Sequence, residues 1–470
     1  MSRSGGRAGA VLLVACAAQF MVVLDVAIVN VALPSIQRDL DVPQDTLQWV
    51  VVAYGLVLGG FLLLGGRLAD LLGRRRVLLA GLVLFTTASL LAGLAGSAGL
   101  LIGARALQGL GASLIPPAAL STLAVTFADG AERHRALGIY GAVTGVSASI
   151  GVIAGGLLTD GAGWQSIFLV NVPVGAVLVV AAAAVLPAGT GDRRPGERFD
   201  VAGAVAVTGG LLLLVHALGR GVDAGWTAPS VLGELVACVL ALAVFVAVEA
   251  RSRSPLVPAV AVRHRTLVAA DLSAFFTFGA FFGFIFLGSL LMQQVFGYSP
   301  TCTGVAWLTT TATSFVAAAV TGSKLVAVVG VRRLLVVGQS LLAVALLLLV
   351  RVPAGGSYLT DLMPALLLAG IAGGIAAPAA QIGALSGVAP SMAGLASGLV
   401  ETMRELGGAV AVAAVATLLT TRTGVAAFHS AFLGAAAVAA AGALTAAVAF
   451  PRRPALEPGP EPEPVAADGR

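Results

Sequence analysis

Long apolar stretches dominate this sequence. Fourteen of them, from residues 9–34 to residues 425–450, approach or exceed the roughly 18 residues that a helix needs to cross a bilayer. Only 10% of the 470 residues are charged, whereas a soluble chain carries about 25%. Because lipid leaves no partner for a free backbone amide, stretches of this length must form helices. The sequence predicts an all-α membrane protein with 14 spans.

The positions of Lys and Arg predict the orientation of these spans. If both termini lie on one side, that side collects 21 of the 27 basic residues and the other side receives 4. Short cytoplasmic loops are enriched in Lys and Arg, so both termini are expected in the cytoplasm of a bacterial cell, with the protein in its inner membrane. The same bias explains the net charge of +5, which therefore does not indicate a nucleic-acid partner.

A cytoplasmic loop occurs twice in the chain. GGRLADLLGRRRVL at Gly65–Leu78 aligns with GSKLVAVVGVRRLL at Gly322–Leu335, after the predicted second and tenth spans. Both copies lie on the same side, which predicts parallel repeats of six spans with spans seven and eight inserted between them. We therefore expect an N-terminal six-helix bundle (1–187), an inserted helix pair with flanking cytoplasmic loops (188–266), a C-terminal six-helix bundle (267–450) and a disordered cytoplasmic tail (451–470).

Several motifs carry a family resemblance. GGRLADLLGRRR (Gly65–Arg76) resembles the loop motif of the major facilitator superfamily, and LDVAIVNVALP (Leu24–Pro34) resembles the first-helix motif of its fourteen-span drug:proton antiporters. RALQGLGAS (Arg105–Ser113) and GLASGLVETMRELGGA (Gly394–Ala409) are similar to motifs of the fourth and late helices. The resemblance implies the major facilitator fold, two six-helix bundles plus two inserted transmembrane helices, and transport by alternating access.

The resemblance also implies a gate in the first copy of the loop. Asp70 and Arg74, with the motif glycines Gly66 and Gly73, are expected to tie helix ends together in the outward-open state and to release them when the cavity turns inward. The second copy has Ala327 and Val331 at the positions of Asp70 and Arg74. Loss of the pair from one copy indicates a specific role for the pair that remains.

A glycine motif occurs in the predicted fifth span. GVIAGGLL contains Gly151, Gly155 and Gly156 and resembles the antiporter motif of the family. Val152 stands where the family usually has proline, a departure from the motif at its hinge position.

Asp25 lies in the middle of the predicted first span. A carboxylate there costs about 2.5 to 3.5 kcal/mol on insertion scales, and such residues tend to have a function. On a helix Asp25 points roughly 100° or more away from Gln19 and Asn30, so it has no partner on its own helix. Low dielectric favours the protonated form of an unpaired carboxylate, which predicts a proton-coupling role. The alternative is a structural Asp that bonds a neighbouring helix or pairs with Arg105.

Two further sets of charges lie inside spans. Arg105 is predicted to be a counter-charge that changes partner when a nearby acid protonates, the alternative being a packing residue bonded to backbone carbonyls. Glu401, Arg404 and Glu405 are spaced i, i+3 and i+4 and meet on one helix. Arg404 is expected to neutralise only one acid, so Glu401 and Glu405 join Asp25 and Arg105 as proton-coupling candidates. A structural ion pair, with the other acid reaching to the surface, is the alternative.

A phenylalanine-rich segment begins the second half. FFTFGAFFGFIF, residues 275–286, holds seven of the 19 phenylalanines. These rings either face lipid or line a cavity for a flat lipophilic substrate. For the second case, Phe275, Phe278, Phe282 and Arg404 are the predicted cavity residues.

The sequence contains no catalytic constellation. It has no phosphate-binding P-loop, no HExxH and no Cys or His cluster at metal-binding spacing. We therefore predict no enzyme, no metal and no cofactor, and a proton gradient as the energy source. The predicted function is proton-coupled antiport that exports lipophilic, cationic drugs or antibiotics, with small-molecule substrate, protons and the bilayer as partners of a monomer. Export or import of one metabolite, such as a self-made antibiotic, is the alternative, and a membrane enzyme or receptor is the rival class.

We expect reporter fusions at Gly189 and Ser254, which flank the inserted pair, to report the cytoplasm at both positions. The reason is that a pair of spans returns the chain to the side from which it started. At each position, one fusion carries a reporter that is active only in the periplasm and another carries a reporter that is active only in the cytoplasm. The measurement compares the two activities. A periplasmic signal at only one position contradicts the inserted pair and the symmetric halves.

Overall fold

The computed structural model describes residues 3–128, 130–187, 200–252, 255–353 and 355–451. The tail predicted for 451–470 lies outside these residues except for Pro451, and so do Gly189 and Ser254 in the loops that flank the inserted pair. The helices that cross or line the first half and the insertion are α1 (Arg3–Leu40), α2 (Gln44–Leu72), α3 (Arg74–Gly93), α4 (Ala98–Thr126), α5 (Ala131–Ala162), α6 (Ser166–Leu169), α7 (Asn171–Val185), α8 (Val201–Ala224) and α9 (Pro229–Glu249).

The second half continues the same pattern. Its helices are α10 (Ala259–Arg263), α11 (Arg265–Leu290), α12 (Pro300–Val320), α13 (Val326–Val329), α14 (Val331–Leu349), α15 (Met363–Leu385), α16 (Ala393–Thr420) and α17 (Val425–Ala449). Single π-helical turns lengthen α11 and α12 at their C-terminal ends and α15 at its N-terminal end. No strand occurs in the part of the chain that the structure describes, which confirms the all-α prediction.

Thirteen helical segments are long and apolar enough to cross a membrane among the described residues. The predicted fifth span, residues 136–159, is not one of the thirteen. It lies within α5, which has 32 residues and is about 48 Å long, more than a bilayer core of about 30 Å requires. Several side chains of α5 fall outside the described set, so its apolar character is known from the sequence only.

The helices pack as two groups with the inserted pair beside them. In the first group α4 packs between α2 and α3, and α1 packs along α5. In the second group α11 contacts α15, α16 and α17, and α14 contacts α15 and α17. The inserted helices α8 and α9 pack on each other, and α8 also contacts α2 and α16, one from each group. The residue limits of these units stay a prediction from the sequence.

The repeated loop adopts the same backbone in both copies. Gly73 has φ +95° and Gly330 has φ +81°, a left-handed conformation that glycine tolerates best. The arginines that align two residues later also make matching contacts: Arg75 donates to the carbonyl of Ala183 in α7 at 2.5 Å, and Arg332 donates to Ala447 in α17 at 3.1 Å. Each arginine therefore ties its loop to the last helix of its own half, in addition to any effect on orientation. We call the membrane face that carries these loops the basic end.

Candidate functional site

Asp25 lies at the centre of a buried polar cluster. Its side chain is fully buried, and its Oδ2 accepts from Arg105 Nη1 at 2.5 Å. Its Oδ1 accepts from Gln108 Nε2 at 2.7 Å and from Asn171 Nδ2 at 2.9 Å. The expectation that Asp25 lacks a partner is therefore wrong, because it considers one helix alone while the donors come from α4 and α7. The structure agrees with the alternative reading in which Asp25 pairs with Arg105.

Arg105 keeps several neutral partners besides Asp25. Its Nε donates to the carbonyl of Val50 at 2.9 Å, and its Nη1 also donates to Gln108 Oε1 at 2.8 Å. The guanidinium carbon lies 4.1 Å from the centre of the Tyr54 ring, a cation–π contact. If Asp25 becomes neutral, these groups remain in contact with the arginine and offset part of the cost of its unpaired charge.

Gln108 and Asn171 are site residues that the sequence reasoning missed. Gln108 also donates to Ser89 Oγ at 2.8 Å, so it connects Asp25 to α3. Gln108 occurs inside the motif segment RALQGLGAS, and Asn171 is the first residue of α7. The signal that could have found Gln108 is its i+3 spacing from Arg105 in an apolar helix, where an amide needs a partner.

The charges of α16 form a second cluster in the other half. Arg404 Nη1 lies 2.8 Å from Glu401 Oε2, and Arg404 Nη2 lies 2.8 Å from Glu405 Oε1. The prediction that Arg404 pairs with only one acid is wrong, since the guanidinium presents donors along more than one edge. With all three groups ionised, two carboxylates and one guanidinium leave this triad one negative charge in excess.

Two phenylalanine rings and the backbone of a third phenylalanine contact α16. The ring of Phe278 lies 5.4 Å from the guanidinium carbon of Arg404 and 6.1 Å from the ring of Phe282. Phe282 packs on Gly408, and the carbonyl of Phe275 packs on the neighbouring glycine of α16. Phe278 is buried and the other two rings are half-buried. These contacts bring Phe278 and Phe282 to the triad, whereas for Phe275 they involve the backbone alone.

Tyr54 lies on the helix that packs on the elements of both charge clusters. Its ring lies over the guanidinium of Arg105. The helix α16, which carries the triad, packs directly on α2 and α4. The acid–arginine pair of the first half and the acidic triad of the second half therefore lie on two sides of one interface.

Asp70 closes this interface at the basic end. Its two carboxylate oxygens accept from the backbone N–H groups of Gly394 and Leu395, each at 2.8 Å, at the start of α16. A negative charge at a helix N-terminus is favourable because the first amides are free and the helix dipole is positive there. Arg74 pairs with Asp70 at 3.3 Å and donates to the carbonyl of Pro390. The predicted gate residues are thus brought together across the two halves.

Glycines bring the backbones together at the same end. A Cβ on Gly66 would lie 2.8 Å from Cα of Gly398 and would overlap the carbonyl of Gly394. A Cβ on Gly138 of α5 would lie 2.7 Å from Cα of Gly322, which follows α12. Two separate contacts between the halves, α2 with α16 and α5 with α12, therefore depend on residues without side chains, and both lie near the basic end.

The glycine motif of α5 packs against the helix that carries Asp25. A Cβ on Gly151 would lie 2.7 Å from Cβ of Ala27, and one on Gly155 would lie 3.0 Å from the carbonyl of Ile28. Gly156 has nothing within 4 Å of such an atom. Gly151 and Gly155 thus set the distance between α5 and α1 around Asp25, whereas packing gives no reason for Gly156.

The fold and the site define a class of protein. Two groups of helices that share a repeated loop carry buried charges and contact each other closely at one end, which fits a membrane transporter that alternates between two openings. The chain belongs to the Major Facilitator Superfamily, whose sequence model matches residues 15–412 and 270–468. It is a multi-pass membrane protein and a transporter, not an enzyme.

Curated relatives share most of its length. The puromycin resistance protein pur8 of Streptomyces alboniger is 39% identical over 88% of this chain and 82% of its own. The cephamycin export protein CmcT of Amycolatopsis lactamdurans is 38% identical over 87% of this chain and 84% of its own. Among solved structures, the human organic anion transporter MFSD10 superposes with a TM-score of 0.71 at 17% identity, covering 95% of this chain and all of that one. The last similarity concerns the fold alone.

We predict that Asp70→Asn loosens the basic end without lowering the amount of protein in the membrane. Asparagine keeps the size of the side chain but loses the charge and one acceptor oxygen. Hydrogen bonds to a charged group contribute about 1.5 to 3 kcal/mol, so the opened population should rise roughly tenfold or more. The measurement is the alkylation rate of a cysteine in Ser397→Cys, a buried position of α16, after removal of Cys16, Cys238 and Cys302.

Asp200→Asn is the matched control for this change. Asp200 also caps a helix at the basic end, since it accepts from the N–H of Gly203 at 2.8 Å, but this bond lies within the inserted pair. In Asp200→Asn the cysteine of Ser397→Cys should be alkylated at the same rate as in the parent protein. If Asp70→Asn also leaves the rate unchanged, the bond between Asp70 and α16 does not hold the halves together.

Proposed function

We propose that this protein exports lipophilic, cationic antibiotics or drugs from the cytoplasm by proton antiport. The observation that carries the proposal is the buried pair of Asp25 and Arg105, which can exchange a proton and regroup with neutral partners. The family supplies the alternating-access framework. The printed names of two relatives, a puromycin resistance protein and a cephamycin export protein, support antibiotics as substrates and export as the direction.

The proton step follows from the contacts of the pair. In the present conformation Asp25 is paired and accepts three hydrogen bonds, so protonation requires a rearrangement that separates it from Arg105. Arg105 then relies on Val50, Gln108 and the Tyr54 ring. Because these two states of Asp25 have different contacts, the proton can shift the balance between two conformations.

Substrate recognition is assigned to the second half. The triad of Glu401, Arg404 and Glu405 has one excess negative charge when ionised, and Phe278 and Phe282 border it. A lipophilic cation matches this combination, since its charge is attracted to the triad and its flat apolar part to the rings. The triad is also a second place where a proton can bind in competition with the cation.

The orientation belongs to the same proposal. The loops of the basic end carry most of the arginines, which supports placing that end and both termini in the cytoplasm of a bacterial inner membrane. The conformation with Asp70 bound to α16 is then closed to the cytoplasm. A single chain contains both halves and both charge clusters, which supports a monomer as the working unit.

A narrow substrate range is the second candidate. The two relatives named above are each named for one antibiotic, puromycin in one case and cephamycin in the other. This supports an exporter of one compound, such as an antibiotic that the cell makes itself. Growth of a sensitive host that expresses the chain, tested against a panel of unrelated compounds, separates the two: resistance to one compound class favours the narrow range.

We predict that Asp25→Asn abolishes proton-coupled export in vesicles with an imposed pH gradient, whereas Asp25→Glu keeps part of it. Asparagine cannot bind and release a proton, while glutamate can but places its carboxylate differently. The measurement is the proton release that follows addition of tetraphenylphosphonium to the transporter in lightly buffered solution, together with export. Release at the wild-type rate in Asp25→Asn shows that the coupling group is elsewhere.

The folding of this variant needs its own control. Leaving Arg105 without its partner in the interior costs about 3 to 5 kcal/mol when a buried pair is broken. The double variant Asp25→Asn/Arg105→Gln removes both charges and should recover the folded fraction, measured by gel filtration in detergent. It should still lack proton coupling, which separates loss of the proton site from loss of the fold.

We predict that Glu401→Gln and Glu405→Gln each reduce export of cations more than export of neutral lipophilic compounds. Each change takes the ionised triad from one excess negative charge to none. The measurement is efflux of tetraphenylphosphonium beside a neutral dye, with Asp160→Asn on the exposed end of α5 as the control. Equal losses for both compounds indicate that the triad is only a structural ion pair.

A further inference from the structure

Asp271 on α11 is a buried carboxylate that takes part in neither cluster. It is 7% exposed, and its Oδ1 has no hydrogen-bond partner among the described residues. No ion pair within the described chain includes it. Asp25, in contrast, has three donors. Asp271 is therefore the unpaired intramembrane acid that the sequence suggested at position 25.

The direction in which Asp271 points follows from its neighbours on α11. Ala270 packs against Gly383 of α15, and the carbonyl of Phe275 packs against Gly407 of α16. Residues advance by 100° around a helix, which places position 271 between the side facing α15 and the side facing α16. Asp271 thus faces the gap between these two helices.

The same face of α11 carries the phenylalanine ring that contacts the triad. Phe278 follows Asp271 by two helical turns, about 10 Å along the axis, and its ring contacts Arg404. Because α11 begins at the basic end, Asp271 lies nearer to that end than the triad does. One surface therefore runs from the closed end past Asp271 to the rings and the triad.

Packing at the closed end is what buries Asp271. Its neighbours Leu267, Ala270 and Ala274 belong to one continuous buried apolar cluster that also includes residues of α1, α2 and the start of α16. That cluster spans both halves. Separation of the halves at the basic end, which the bond of Asp70 to α16 prevents, would remove part of this cover.

The charged and titratable groups on the elements around α11 leave Asp271 unpaired. On α16 the triad is paired within itself, and on α17 His429 bonds the carbonyl of Val352 at the opposite end. On α14 Arg332 bonds Ala447. The helix α15 has no charged residue, and the turn after α11 has none. The remaining groups are the exposed Arg263 at the end of α10, Arg265 at the start of α11 and Arg333 on α14. The half-buried His264 precedes α11, and its Nδ1 accepts from the N–H of Leu267.

An unpaired carboxylate cannot stay ionised at low cost in such surroundings. The free energy needed to transfer an isolated charge from water into an apolar interior is much larger than the stabilisation by one hydrogen bond. The group therefore takes up a proton and becomes neutral. Contact with water reverses this preference. Burial of Asp271 and protonation of Asp271 are therefore coupled through the closure of the basic end.

We propose that Asp271 is a second proton-binding site of this transporter, protonated while the basic end is closed and ionised when that end opens. On opening, the O–H bond breaks, the proton passes to water on the open side, and the carboxylate remains. On closing, a proton from that water returns to the same oxygen. Proton binding at Asp271 thus stabilises the closed conformation. Because the proton returns from the side to which it left, this site carries no net proton flow by itself, and the net flow rests on the antiport of the proposed function.

The test measures the conformation of the full chain without substrate or gradient. Spin labels at Leu72 and Val328, exposed positions at the basic end on the two halves, report the distance between the halves in nanodiscs. In the parent protein the long-distance population should grow as the pH rises from about 5 to about 9, the range in which a buried carboxyl group and water exchange protons. In Asp271→Asn the side chain is always neutral, so at the high pH this population should fall at least about threefold.

Two variants control the interpretation. Asp271→Glu retains a titratable group and should restore the pH response, which a purely structural role of the aspartate would not require. Asp160→Asn makes the same chemical change at an exposed position of α5 and should follow the parent protein at every pH. Thermal unfolding of Asp271→Asn should match the parent at low pH, because both then have a neutral side chain in the closed state.

Two results overturn the proposal. One is an identical pH response in Asp271→Asn and the parent protein, and the other is a parent protein whose distances do not change with pH. Neither result bears on the export assays, since no substrate is present. If Asp25→Asn loses antiport but Asp271→Asn keeps the pH response of the parent protein, only the second proton site is rejected. If Asp271→Asn changes the pH response but the parent protein exports nothing, only the proposed export function is rejected.

Discussion

The high cost of charge in a low-dielectric interior is the constraint on which this structure depends. Asp25 and Arg105 are both fully buried inside helices that would otherwise be apolar, and each would be strongly unfavourable alone. Their pairing, with Gln108 and Asn171 completing the carboxylate, requires α1, α4 and α7 to meet at one place. The glycines of α5 allow a further helix to approach α1 at the same level. A single charge pair thus determines how several helices of the first half pack together.

The closed end uses a different kind of contact. There is little hydrophobic gain in joining two apolar helices inside lipid, so close backbone approach and a few polar bonds hold the halves together. Gly66 and Gly138 provide the approach, and Asp70 provides the bonds by capping a helix of the opposite half. Contacts of this kind involve few side chains and are broken as a unit. They suit an interface that must open and close, whereas the charge clusters suit positions that must respond to a proton or a cation.

Many features followed from the sequence because they depend on neighbours along one chain. The apolar lengths predicted the helices, and the repeated loop aligned Gly73 with Gly330, which both have positive φ angles in the structure. The Glu401, Arg404 and Glu405 spacing correctly placed three charges together. Other features depended on which helices are adjacent. The donors of Asp25 lie 80 or more residues away along the chain, and no pattern within its own helix contains them.

The sequence by itself determined that this chain crosses the membrane many times, that it has two related halves, and which charges lie in apolar surroundings. The period, length and composition of a segment are properties of the local sequence, and an apolar segment inside lipid must form a helix. Only the tertiary structure decided which of those charges are paired. It showed that Asp25, which was expected to be unpaired, has three donors, and that Oδ1 of Asp271 has no partner among the described residues. The reason is physical: pairing is set by distances between helices, and these distances arise from packing.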